Sequence, residues 1–163
     1  MSMNASPDFE VFLPSEVDSK SLGTKLARIL RPGDVIALYG ELGAGKTTLA
    51  RGLIQSLLGD ETEVPSPTYT LVQTYELPEC SLWHFDLYRV NTPSELFELG
   101  FEDALQDIAI IEWPDHAGDL LPSDRLSLRI LFEGSSRRAV LSSQNAEWVK
   151  RLDEHFDRSG PKR

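Results

Sequence analysis

The segment Gly40-Glu41-Leu42-Gly43-Ala44-Gly45-Lys46-Thr47 matches G-x-x-x-x-G-K-[ST] in full and lies between two different hydrophobic patterns. Before it, Val35-Ile36-Ala37-Leu38-Tyr39 is an unbroken apolar run, the pattern of a strand buried on both faces in a helix-covered parallel sheet. After it, Leu49, Leu53, Ile54, Leu57 and Leu58 recur at helical spacing, and Gly59 supplies a stop. A buried strand, a glycine-rich turn and a helix in this order form a phosphate cradle. Gly43 and Gly45 let successive backbone N–H groups turn inward, and the start of the helix adds the positive end of its dipole. Lys46 would reach the β- and γ-phosphates, and the Thr47 hydroxyl would ligate Mg²⁺. Residues Gly40, Glu41, Leu42, Gly43, Ala44, Gly45, Lys46, Thr47 and Thr48 are therefore the expected nucleotide contacts.

The rest of the chain can be read around that unit. Val11 to Leu13 suggest a first strand, and Leu22, Leu26, Ile29 and Leu30 a helix ended by Arg31-Pro32-Gly33, with Asp34 as turn punctuation. Residues 70–75 and 82–86 read as strands of a hairpin around Pro78. Asn91-Thr92-Pro93-Ser94 is a helix-start signal leading into residues 95–107, and Ile108 to Ile111 form a second buried run ending in Glu112. Arg125 to Phe132 alternates, with Leu126, Leu128, Ile130 and Phe132 on one side, which predicts an antiparallel strand with one wet face. Residues 139–141 would pair with it across Gly134-Ser135-Ser136, and Ala146 to Phe156 would close the chain as an amphipathic helix. The expected fold class is α/β, one P-loop-type domain over residues 1–163. Its mixed, mostly parallel sheet carries antiparallel strands and is flanked by helices, with residues 153–163 as a basic tail.

A chain of 163 residues suits one core and one site. No apolar stretch approaches the roughly 20 residues of a membrane span, and the N-terminus lacks the two halves of a secretory signal. A cytoplasmic location without membrane contact is expected. The lone Cys80 cannot build a disulfide framework and reads as an incidental loop residue. The net charge of −10 repels a phosphate backbone, which argues against general nucleic-acid affinity. Residues 125–163 differ, with 9 Lys/Arg against 5 Asp/Glu: a solvated tail, or a docking surface for an acidic partner or RNA.

Hydrolysis needs an acidic group for the metal and another to place the water. Glu112 and Asp86 each end a run at a strand's carboxyl edge, where open α/β sheets bind ligands. Either could hold Mg²⁺ while the other orients water; the plain alternative for both is a helix cap or a surface carboxylate. Lys46, Asp86 and Glu112 are the catalytic candidates, and Thr47, Asp86 and Glu112 the metal candidates. In Pro65-Ser66-Pro67-Thr68-Tyr69-Thr70, Thr68 or Thr70 could be ordered by a γ-phosphate, or the segment could be a rigid turn. His84 and His116 are lone histidines for which structural or surface roles are favoured, and no spaced His/Cys set suggests a metal cluster. Trp113 could flank the site or pack before Pro114. The Asn/Thr-Lys-x-Asp guanine signature is missing, which favours ATP/ADP, and no arginine presents itself as a transition-state finger.

Four segments together resemble one family: GELGAGKTTLARGL (Gly40–Leu53), SPTYTLV (Ser66–Val72), HFDLYR (His84–Arg89) and IIEWP (Ile110–Pro114). This is the TsaE family of small bacterial ATPases of tRNA threonylcarbamoyladenosine synthesis, and the likeness covers roughly residues 10 to 142. It implies a modified P-loop fold, ATP hydrolysis that is weak alone, and work with TsaB and TsaD subunits, with any tRNA contact indirect or transient. By matching positions it gives Thr47 and Glu112 the magnesium role, makes Asp86 an essential acid and puts Thr68 and Thr70 in a switch-like loop. An adenine contact is expected from Glu16 to Ser19, ahead of the first helix, while Arg137, Arg138 and the basic end receive no role. The alternatives are a small-molecule kinase using the same P-loop and a nucleotide-gated scaffold that scarcely cleaves ATP.

Overall fold

Apolar runs set the centre of the sheet in the computed structural model, which describes residues 8–156. Strands β2 (Val35–Tyr39) and β5 (Ile108–Glu112) are buried at every position and pair in parallel. On the far side of β5 lies β4 (Ser81–Asp86), and on the far side of β2 lies β6 (Leu126–Glu133), again in parallel. Antiparallel strands complete both flanks: β3 (Val72–Glu76) folds back on β4, β7 (Ser136–Ser143) on β6, and β1 (Phe9–Leu13) on β7. The seven-stranded order is β1-β7-β6-β2-β5-β4-β3. The mixed sheet expected from the sequence is present, with its parallel pairs confined to the middle.

Alternation along each central strand divides the core between the two faces of the sheet. Ile36, Leu38, Ile108, Ile110 and Leu82 pack with α1 (Glu16–Ala27), α2 (Lys46–Leu58) and α5 (Ala146–His155). On the opposite face Val35, Phe85, Ala109 and Ile111 pack with α3 (Glu95–Glu98), α4 (Phe101–Ala104) and Ala117 of a 3₁₀ turn, Pro114–Leu120. A fully buried leucine such as Leu53 contributes about 1.5–3 kcal/mol. The helices start at local stops: Asp18 accepts hydrogen bonds from the Ser15 amide and hydroxyl, and Asn145 Oδ1 accepts from the Glu147 amide. Gly59 ends α2 as expected, its amide donating to Gln55.

Three expectations need correction. Residues 95–107 do not form one helix, because Gly100 at φ 82° breaks the segment into two single turns. A Cβ there would lie 2.9 Å from the Trp83 ring, so the chain can cross that indole only as glycine. Strand β6 is not purely antiparallel; it joins the parallel centre to the antiparallel flank. Phe132 is 47% exposed, since β2 ends its pairing with β6 at Arg129 and leaves the strand tip uncovered. The basic end at residues 157–163 lies outside the described residues.

Asp34 is more than turn punctuation. Both its oxygens accept from Arg151, at 2.8 and 3.0 Å, and Arg151 also donates to the Ile29 carbonyl at 2.6 Å while lying 4.0 Å from the Trp148 ring. This buried fork locks α5 to the turn that feeds β2. Helices α1 and α2 meet through glycines. A Cβ on Gly23 would stand 2.2 Å from the Leu49 carbonyl oxygen, and one on Gly52 would stand 2.5 Å from that of Lys20. Gly23→Ala is expected to lower the urea midpoint by the equivalent of about 1–3 kcal/mol with the denaturant slope unchanged. The helix-propensity gain of about 1 kcal/mol is too small to offset backbone overlap.

Candidate functional site

The register of the parallel strands builds the site. Asp86 is paired with Glu112 across β4 and β5, and Glu112 with Leu38 across β5 and β2. Two carboxylates and the end of the strand feeding Gly40 therefore reach the same edge of the sheet. Gly40, Gly43 and Gly45 adopt φ 155°, 80° and 112°, a path that bends the chain into α2, whose first amides have no intrahelical acceptor.

Leu42 to Thr48, Thr68, Asp86, Glu112 and Trp113 line a cavity of about 220 Å³. Thr47 Oγ1 lies 3.1 and 3.2 Å from the two Glu112 oxygens. Asp86 accepts from the Tyr88 amide at 2.9 Å and from the Thr68 hydroxyl at 3.3 Å, and that hydroxyl stands 2.7 Å from Ser66 Oγ. Lys46 donates to the Gly40 carbonyl and, at 3.4 Å, to the Glu41 carbonyl; its ammonium sits 3.8 Å from the Trp113 ring centroid. The predicted residues Lys46, Thr47, Thr68, Asp86 and Glu112 thus share one cavity. Thr70 does not face it: its hydroxyl is exposed and accepts from Gln73 Nε2 at 3.0 Å. Glu41 and Leu42 are exposed and line a neighbouring groove of about 580 Å³, which shares Leu42 and Trp113 with that cavity. His116 holds the Val90 carbonyl at 3.0 Å, a structural role.

Three residues matter that sequence reasoning passed over. His84, fully buried, places Nε2 2.7 Å from Glu112 Oε2. Arg89 donates to the Thr68 and Tyr69 carbonyls at 2.9–3.1 Å and so fixes the Pro65–Thr70 loop from below; it was visible only as the last letter of HFDLYR. Arg137, distant in sequence, donates to the Gly43 carbonyl at 3.4 Å and stacks 4.4 Å from the Phe132 ring. It closes a second cleft, about 170 Å³, lined also by Ser15, Glu16, Ser19, Gly45 and Thr48. Of the segment Glu16 to Ser19, Glu16 and Ser19 line this cleft, and the segment forms the first turn of α1 rather than preceding it. No sequence signal near Arg137 points to the P-loop, because only the β6–β7 hairpin brings it there.

The donors Thr47 Oγ1, Glu112 and Asp86 are hard oxygens of the kind that suits Mg²⁺, and two buried carboxylates side by side favour a cation between them. Burial pulls the Lys46 ammonium below the ordinary lysine range, and the nearby Glu112 and Asp86 charges only partly restore it. The folded chain then holds this proton less tightly than the unfolded chain, so the charged lysine costs stability below its lowered value. The cost fades as pH rises from that value toward 10.5. Lys46→Met is therefore expected to raise the urea midpoint near neutral pH, by a margin that shrinks as pH approaches 10.5.

Comparison with known proteins agrees with this geometry. The profile of the family described as threonylcarbamoyl adenosine biosynthesis protein TsaE matches residues 13–140. The tRNA threonylcarbamoyladenosine biosynthesis protein TsaE of Rickettsia felis is 37% identical over 138 residues, covering 83% of this chain and 81% of its own. The Bacillus subtilis protein of the same name is 32% identical over 143 residues, covering 86% and 89%. The crystal structure of Bacillus subtilis YdiB superposes with a TM-score of 0.77 over 94% of this chain and 96% of that one, at 24% identity, and so shares the fold. A cradle, an acid pair and a sheet order found together with this sequence similarity place the chain in the TsaE family.

Proposed function

We propose that the chain is a cytoplasmic, magnesium-dependent ATPase that serves the synthesis of N6-threonylcarbamoyladenosine in tRNA together with TsaB- and TsaD-type subunits. The single observation that carries the ATPase reading is the Asp86–Glu112 pair held in register beside Thr47 at the mouth of the P-loop. The tRNA pathway is supported by the names of the relatives, which are tRNA threonylcarbamoyladenosine biosynthesis proteins. A net charge of −10 favours contact with tRNA through the partners rather than through this chain.

In this reading the P-loop amides and Lys46 bind the phosphates. Lys46 first leaves the Gly40 and Glu41 carbonyls, an exchange of neutral acceptors for anionic ones. Thr47 and Glu112 would hold Mg²⁺, with Asp86 in the same cavity as a further oxygen donor, directly or through water; the ion would supply neutralisation of phosphate charge. Asp86 and the Thr68 hydroxyl, already in contact, orient the attacking water. The cleft at Glu16, Ser19 and Arg137 takes the ribose and adenine, since Thr48 and Gly45 join it to the phosphate cavity.

Calorimetry and phosphate release test the reading. Lys46→Ala is expected to abolish ATP binding, whereas Asp86→Asn and Glu112→Gln should retain the affinity measured without Mg²⁺ and lower turnover on the order of 10²-fold. Turnover should rise when TsaB- and TsaD-type partners are added. Phosphate transferred to a metabolite would instead establish the kinase, and full in vivo function of Asp86→Ala or Glu112→Ala beside a null Lys46→Ala would establish the scaffold.

A further inference from the structure

The polarity along β4 changes in an ordered way on the face toward α2. Leu82 belongs to the apolar core, Asp86 lines the phosphate cavity, and His84 stands between them. Its ring is completely buried, with Nε2 2.7 Å from Glu112 Oε2 and with Nδ1 buried and, among the described residues, without a hydrogen-bond partner. A carboxylate accepts, so Nε2 carries the hydrogen of this bond. A histidine serving the core alone would be expected to satisfy both nitrogens or to be replaced by an apolar residue such as its neighbour Leu82. Here the one bond it makes ends on Glu112.

We propose that His84 is a positioning residue for Glu112. By donating to Oε2 it holds the carboxylate in the orientation that meets Thr47, at 3.1 and 3.2 Å, and keeps Glu112 from turning back over Lys46 or Asp86. The strand register makes this mounting stiff. His84 is paired with Ile110 and with Gln73 in the flanking strands, so its backbone is fixed on both sides. Partners of this kind behind a metal-binding group are commonly worth 10–100-fold in metal affinity or activity. The inference rests on the magnesium role proposed above for Glu112.

The test uses the full chain as wild type, His84→Phe and His84→Gln. Phe keeps a ring but no donor, whereas Gln can place an N–H near the position of Nε2. Calorimetry of ATP with EDTA and with Mg²⁺ should show that magnesium strengthens binding in the wild type. His84→Phe is expected to lose about 10–100-fold of that gain at unchanged affinity in EDTA, and Gln to restore most of it. A Phe variant that gains as much from Mg²⁺ as the wild type overturns the positioning role alone. A wild type that gains nothing from Mg²⁺ overturns the magnesium reading as well. Independent of metal and of any variant, ¹⁵N spectra of the wild-type imidazoles should show the Nε2–H tautomer for His84. The Nδ1–H tautomer would overturn the proposal even if His84→Phe failed to fold.

Discussion

Everything at the site depends on the alignment of β2, β5 and β4 in parallel register, with Leu38, Glu112 and Asp86 on one level. Adjacent strands lie about 4.8 Å apart, so this level sets two carboxylates at close range in a buried setting. Left alone they would repel strongly. The surroundings offset this with donors: the Thr47 hydroxyl and His84 for Glu112, the Tyr88 amide and Thr68 hydroxyl for Asp86. A shift of β4 by one residue would turn His84 and Asp86 to the opposite face and dismantle the pair. The large apolar surfaces on both faces hold the register, so packing that seems remote from the chemistry decides it.

The same edge stores conformational and electrostatic cost. Trp113 at φ 57° and Leu71 at φ 72° occupy the left-handed region, unusual for bulky side chains, and they flank the cavity and its loop respectively. Lys46 is buried with its ammonium on two P-loop carbonyls and the Trp113 face. A triphosphate would give that ammonium better partners, so a large part of the free energy released on binding can come from relief of a poorly solvated cation. The arrangement fits a protein selected for a site rather than for stability.

Much of the fold could be read from local pattern. The runs at residues 35–39 and 108–112, the α2 periodicity and the alternation in β6 all carry their periods in the sequence, because burial on one or both faces imposes them. The break at Gly100 was not legible, since it answers to Trp83, a residue on another strand. Asp34 read as a turn because its partner Arg151 lies more than a hundred residues away. The chemical candidates Lys46, Thr47, Asp86 and Glu112 carried recognisable contexts, a P-loop and two strand ends. Thr68 and Thr70 looked equivalent, and only the path of the loop, held by Arg89, turns one hydroxyl inward and the other toward Gln73. His84 read as a lone histidine of structural or surface role because nothing local shows that its ring meets the Glu112 carboxylate of the adjacent strand.

Two arginines stand near the cradle, and neither lines its cavity. Arg89 spends its donors on the Thr68 and Tyr69 carbonyls, and Arg137 closes the cleft on the Ser15–Ser19 side. Among the described residues the phosphate cavity is lined by one cation, Lys46, against two carboxylates. Charge that develops on a transferring phosphoryl group is ordinarily met by a further cation, and in this fold neither nearby arginine is aimed at it. If the chain hydrolyses ATP as proposed, this placement of the basic residues of β4 and β7 would leave turnover by the isolated chain weak and call for a donor supplied in trans.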